Sequence, residues 1–243
     1  MNHIIEQMLA HRSIRKFTDE PVTDEDLAAA VEAGQMASTS GGIQSYCVLN
    51  IRKTAAREAL VELTGGQTKV LRCGTFLIIC GDTRRHRLLA DKAERPYDTR
   101  LEAFLLATVD ASLFAQNMAI AFESMGYGIC YIGGLRNDLE GVQKLLDCPA
   151  GIYPLFGMCI GRPADDPITR PRLPQSTVLF DDQYPDDQDM LDGMTDFDAT
   201  MLDYFRRRGA GDRSWSDEMV EKFAAPRRTS VGPYYRSQGA NLD

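Results

Sequence analysis

One stretch constrains this chain more than any other. From Leu101 to Met125 it reads LEAFLLATVDASLFAQNMAIAFESM, built from helix formers and apolar nearly all round. A helix at a protein surface keeps one polar face, so an apolar circumference belongs at the centre of a fold or in a bilayer. A membrane span needs about 20 predominantly apolar residues, and this run is long enough. Asp110, Ser112, Gln116, Asn117 and Glu123 interrupt it, however, and ionisable groups at bilayer depth are expensive. The run is read as a central buried helix, with no membrane partner, which the remaining chain must cover.

The chain has the material for that. Its 243 residues are 44% hydrophobic and 26% charged, the balance of a soluble globular protein with one large domain or two small ones. Lys and Arg number 27 against 35 Asp and Glu, a net charge of −8, which argues against a nucleic-acid binder needing a basic face. Six cysteines (Cys47, Cys73, Cys80, Cys130, Cys148, Cys159) form no C-x-x-C pair, so zinc-knuckle and thioredoxin-type motifs have no support. Most lie in apolar runs such as FLIIC and MCIG, where a thiol packs as a small hydrophobe. MNHIIEQMLAHRS has neither the apolar core nor the cleavage site of a signal peptide, and a cytoplasmic, reducing location is expected.

A short amphipathic helix is expected before His11 and a second from Thr23-Asp24, where acidic residues suit a helix N-terminus. Residues 38–45, STSGGIQS, read as a polar loop, and YCVLNI at 46–51 as a strand. A third helix opens at Thr54 and stops at Gly65-Gly66. FLIICG at 76–81 reads as a strand covered on both faces. Beyond the long helix come a strand at 129–134 (ICYIGG), a helix from Asn137 with a capping-box pattern to Glu140, and a strand at 155–161. From Asp181 the composition turns acidic and strand character ends. Helices near 195–208 and 216–224 follow. The reading is one α+β domain over 1–243, with about 181–243 an excursion wrapping a finished core.

Three basic clusters stand out: His11-Arg12-Ser13-Ile14-Arg15-Lys16, Arg170-Pro171-Arg172, and Arg206-Arg207-Arg208 running to Arg213. Solvated charge explains any one of them, but the proline between Arg170 and Arg172 restricts the backbone and could hold two guanidinium groups ready for an oxyanion. Gly-bearing loops at 38–42 and 65–67, and Gly133-Gly134, permit close backbone approach to a flat ligand. Neither G-x-G-x-x-G nor a P-loop is present. Three histidines make a histidine metal site improbable, so no metal is expected, and Ser13, Ser38 and Ser40 lack a nucleophile elbow. Few acid–base candidates beside several arginines point to a phosphate-bearing cofactor, identity open, that carries the chemistry.

Taken in order, HRSIRKFTDEPV at 11–22, LTGGQ at 63–67, YIGGLRN at 131–137, PLFGMCIGRPADDP at 154–167, RPRLP at 170–174, RG at 208–209 and WSD at 215–217 resemble the nitroreductase family. The closer resemblance is to its long subgroup of oxygen-insensitive NADPH nitroreductases and NADPH–flavin oxidoreductases. It implies a mainly antiparallel sheet flanked by helices, a C-terminal wrapping extension, and a homodimer binding FMN non-covalently at the interface. The long helix would then be a dimer helix. By position, His11, Arg12, Ser13, Arg170 and Arg172 would meet the FMN phosphate, Arg15 the pyrimidine edge and Gln67 the ring edge. Tyr131, Gly133 and Gly134 would line the ring, while Ser38, Thr39 and Ser40 would come from the second subunit. Arg136 and Arg208 would meet the reductant, NADPH with NADH as the alternative.

The implied activity is a ping-pong, two-electron reduction of nitroaromatics, quinones or related acceptors. No protein nucleophile is needed, because the flavin does the chemistry. Two alternatives are a flavin reductase supplying reduced FMN, with a flavin-dependent monooxygenase as partner, and a non-catalytic flavin-binding regulatory protein. The chain departs from the subgroup in two places. Gly41-Gly42 stand where bulk is expected before the Ile-Gln pair, predicting a wider mouth over the flavin, and EMVEKF follows WSD where relatives can be basic.

Overall fold

Strand β2 (Thr75–Asp82) is buried at every residue, and its alternating side chains divide the hydrophobic core in two. Leu77 and Ile79 face one cluster, whereas Phe76, Ile78 and Cys80 face the other. Side chains alternate along a strand, so a fully apolar strand needs cover on both faces, as FLIICG predicts. The computed structural model describes residues 2–242. Its sheet has the order β1-β2-β4-β3, all antiparallel, where β1 is Tyr46–Asn50, β3 is Gly128–Ile132 and β4 is Ile152–Gly161. The register of β4 slips between its pairs with Ile79 and Cys80, next to Pro154, which has no N–H for a central ladder.

Helix α6 (Leu101–Ser124) covers one face of the sheet through Phe114, Met118 and Phe122. Helices α3 (Thr54–Leu63) and α7 (Leu139–Leu146) contribute Leu60 and Val142 to the other core. Around these lie α1 (His3–Leu9), α2 (Asp24–Gln35), α4 (Lys69–Arg72) and α5 (Arg84–Lys92). Thr23 caps α2 by accepting from the Asp26 N–H at 3.0 Å. After α3 the chain reverses at Gly65 (φ 80°) and Gly66 (φ 77°), as the glycine pair predicts.

Three local expectations are corrected. α6 is not buried all round: Leu101, Leu105, Val109 and Leu113 form an i, i+4 stripe that is 44–48% exposed. Strand β3 ends at Ile132, because Gly133 and Gly134 turn into a 3-10 segment running to Asn137. Helix α7 is capped by Asp138, which accepts from Gly141 N–H at 2.8 Å, and not by Asn137.

The chain resolves into two compact units. One comprises residues 1–167 and 228–243, the latter including α10 (Val231–Ser237); the other is 168–227. In the second, α8 (Asp187–Arg207) and α9 (Trp215–Phe223) enclose Phe197, Met201, Tyr204 and Phe205 with Leu173 and Trp215.

Candidate functional site

The basic segment after α1 is held by its one apolar member. Ile14, 4% exposed, donates its N–H to Ile129 O on β3 at 2.9 Å and packs on Gly128. A Cβ at 128 would lie 2.7 Å from the Ile14 Cβ, so only glycine admits this approach. Further on, Ala164 N–H donates to Lys16 O at 3.0 Å and Thr18 N–H to Arg162 O at 3.0 Å. On either side of buried Ile14, Ser13 is half-buried and Arg15 exposed.

His11 Nδ1 lies 2.6 Å from Glu123 Oε1, which ties the segment to α6. Arg12 donates to Ala10 O at 3.0 Å and pairs with Asp166, yet its Nε is buried with no partner among the described residues. Arg15 is exposed, with Nη1 donating to Ser13 O at 3.2 Å. Its charge reaches β3, where burial raises the Cys130 thiol and Arg15 and Lys69 oppose that shift. Lys69 carries no role in the sequence reading, and no motif marked it.

Gln67 and Gly134 come together. Gln67 Nε2 donates to Thr64 O at 2.9 Å, and Asn137 Nδ2 reaches the same carbonyl at 3.3 Å. A Cβ on Gly134 would fall 2.5 Å from Thr64 O and closer still to Gln67 Nε2. One carbonyl thus joins the 64–67 turn to the segment after β3. Tyr131 is half-buried, edge-on to Phe156 with centroids 5.4 Å apart. Burial, then the nearby Glu123 carboxylate, pushes its phenol well above the ordinary range.

Ser38, Thr39 and Ser40 are not brought to this cluster within one chain. Ser40 N–H donates to Asp110 on α6 at 3.3 Å, whereas His11 meets Glu123, thirteen residues along the same helix. At 1.5 Å per residue the two anchor points stand about 20 Å apart. Strand β1, which follows the loop, and β3, which holds Ile14, are also opposite edges of the sheet.

Arg136 donates to Leu155 O at 2.6 Å, and Gly133 lies beside its guanidinium. Three other predicted residues belong to the second unit. Arg170 faces Glu218 at 3.9 Å, Arg172 is exposed, and Arg208 is exposed with Nη1 donating to Tyr204 OH at 3.1 Å. Among the described residues no group of three or more metal-ligating side chains occurs.

Comparison with known proteins covers nearly the whole chain. Residues 8–162 match the nitroreductase family and residues 170–243 match that family's C-terminal domain. The chain is 39% identical over 247 residues to an FMN reductase (NADPH) of Bacillus subtilis, covering 99% of each. It is 39% identical over 242 residues to an oxygen-insensitive NADPH nitroreductase of Salmonella typhimurium, covering 98% of each. It also superimposes on the NADPH:FMN oxidoreductase of Vibrio harveyi, solved with NAD+, at a TM-score of 0.90, with 38% identity and 98% of each chain covered.

Proposed function

Because the chain belongs to the nitroreductase family, we propose that it is an FMN-dependent NAD(P)H oxidoreductase reducing nitroaromatics, quinones or related acceptors. The observation that carries the cofactor assignment is Arg12 Nε, a buried donor without a partner in a segment whose backbone is otherwise tied down. Such a donor is costly unless a ligand takes its hydrogen bond, and a phosphate oxygen does so with charge assistance. The glycine approach of Gly134 to Gln67 adds a flat edge for a planar ring. These residues fit the group.

FMN, when bound, supplies two-electron chemistry between a nicotinamide and a second acceptor. The chain's residues bind and orient. His11, Arg12, Ser13, Arg170 and Arg172 are assigned to the phosphate. Arg15 places a fixed cation where negative charge grows on reduction, which is electrostatic preorganisation. Gln67, Tyr131, Gly133 and Gly134 line the ring. Arg208 takes the 2′-phosphate of NADPH as a second guanidinium site, with Arg136 beside the ring.

The enzyme is assigned as a cytoplasmic homodimer, with 1–243 a single FMN-binding domain and about 181–243 its excursion. Two observations support the dimer. The stripe Leu101, Leu105, Val109 and Leu113 is an apolar face left about half exposed in one chain. Ser38–Ser40 also lie about 20 Å along α6 from the basic segment, so a second copy is needed to bring them to the flavin.

Initial rates test this reading. NADPH varied against 4-nitrobenzoate should give parallel double-reciprocal lines, the pattern of a ping-pong reaction through one pocket. Intersecting lines would overturn it. Saturable parallel kinetics with free FMN as the acceptor would add the flavin-reductase role and a monooxygenase partner.

A further inference from the structure

Asp110 is the only fully buried charge on α6, at 1% exposure, and no described cation lies within ion-pairing distance. A buried carboxylate is expensive unless hydrogen bonds satisfy it. Here two backbone donors do so: Ser40 N–H to Oδ1 at 3.3 Å and Ser45 N–H to Oδ2 at 3.0 Å. Both belong to the 38–45 loop, Ser40 before its glycine tip and Ser45 at its end. Its descending limb is held from α5, where His86 Nε2 meets Ile43 O at 2.9 Å and Arg85 Nη1 donates to Gln44 O at 3.3 Å. The Gly41-Gly42 tip stands clear, with φ of 55° and 74° and nothing within 4 Å of either Cβ position. One carboxylate therefore closes the base of the loop, and the open tip projects from that base.

We propose that Asp110 is a positioning residue that fixes the shape of the 38–45 loop and through it selects the electron acceptor. This rests on the oxidoreductase reading, in which the loop reaches the partner's flavin. The 2′-phosphate contact assigned to Arg208 lies on another element, so the acceptor rates carry the larger effect.

Asp110→Asn keeps the volume but offers one carbonyl oxygen and an NH2, so one backbone donor faces another donor. Ser40→Pro provides a second variant outside the core. It deletes the N–H that reaches Oδ1 at the first position of a 3-10 turn, after Thr39 in extended geometry (φ −128°, ψ 152°), where proline is tolerated.

In the FMN-loaded dimer, Asp110→Asn should speed amide hydrogen exchange in peptide 38–46 about tenfold, as one lost net hydrogen bond does. Asp110→Asn and Ser40→Pro should each change the kcat/KM ratio of 4-nitrobenzoate to menadione about fivefold. Anaerobic bleaching of Asp110→Asn by NADPH should stay within about twofold of wild type, because Asp110 is buried under the loop and touches no assigned reductant contact. Unchanged exchange in Asp110→Asn would overturn the clamp. Faster exchange with an unchanged acceptor ratio would overturn its link to selectivity. If Asp110→Asn does not fold, an unchanged ratio in Ser40→Pro overturns the proposal. A wild type that never bleaches defeats the oxidoreductase reading and the acceptor claim, while exchange still decides the clamp.

Discussion

Gly128→Ala is the most informative single substitution in the cofactor segment. The new Cβ would sit 2.7 Å from Ile14 Cβ, where carbon atoms prefer about 3.5–4.0 Å. Ile14 cannot rotate clear, because the clash reaches its Cβ and its branched side chain is stiff at χ1. The backbone of residues 13–15 must therefore withdraw by about 1 Å. That stretches the Ile14 N–H to Ile129 O bond beyond its 2.9 Å and leaves a buried donor weakly satisfied. Overpacking costs about 1–3 kcal/mol and the lost bond about 1 kcal/mol, which lowers the melting midpoint by roughly 4–16 °C for a chain of this size. The same shift carries Arg12 and Ser13 off the position proposed for the FMN phosphate. Losing one charge-assisted hydrogen bond, about 1.5–3 kcal/mol, raises the FMN dissociation constant about tenfold or more. Fluorescence quenching of FMN by apoprotein measures the affinity, and a thermal melt measures the midpoint. A lower midpoint with FMN affinity within about twofold of wild type would refute the reasoning that the β3 anchor sets the phosphate grip.

Other outcomes follow from the same structure. Arg208→Ala should raise KM for NADPH more than for NADH, because only NADPH carries the 2′-phosphate; equal effects on the two would remove Arg208 from the reductant site. Leu105→Glu puts a charge in the middle of the exposed α6 stripe and should shift the enzyme to monomer in sedimentation, with loss of FMN. A Leu105→Glu dimer that retains FMN would count against that interface. Tyr127 O–H donates to Asp26 Oδ2 at 2.6 Å and, first among the causes, holds that carboxyl below its ordinary 3.8. A lowered carboxyl contributes stability that is present above the ordinary value and lost as pH falls through the lowered one. Tyr127→Phe should accordingly lower the melting midpoint at neutral pH, with the gap closing in acid below the lowered value; a gap that widens in acid would reverse the sign of the argument.

The strands and the turn after α3 were legible because local pattern decides them. FLIIC is apolar at every position and could only be a doubly covered strand, and Gly65-Gly66 could end α3 because left-handed geometry is cheap for glycine. What the sequence hid depends on distant contacts. α5, RRHRLLADK, has strong helix formers but too many charges to show an apolar stripe. α10, VGPYYRS, reads as a turn-rich tail, yet Tyr234 and Tyr235 are buried in the main core and Tyr235 O–H donates to Pro154 O at 2.7 Å. A contact across that much chain leaves no local mark. α6 misled in a different way: apolar composition says that a face will be covered, without saying whether the same chain or another copy covers it. Asp110 and Glu123 were visible as interruptions in the apolar run. That one clamps a loop and the other holds His11 required coordinates.

The central claim is that this chain binds FMN and passes electrons from a nicotinamide through it. The direct measurement is the visible spectrum of the purified protein, recorded anaerobically before and after NADPH and then NADH. The account predicts yellow flavin bands that bleach on mixing, faster with NADPH. Bound flavin that neither nicotinamide bleaches, or a colourless protein that takes up no added FMN, would contradict it.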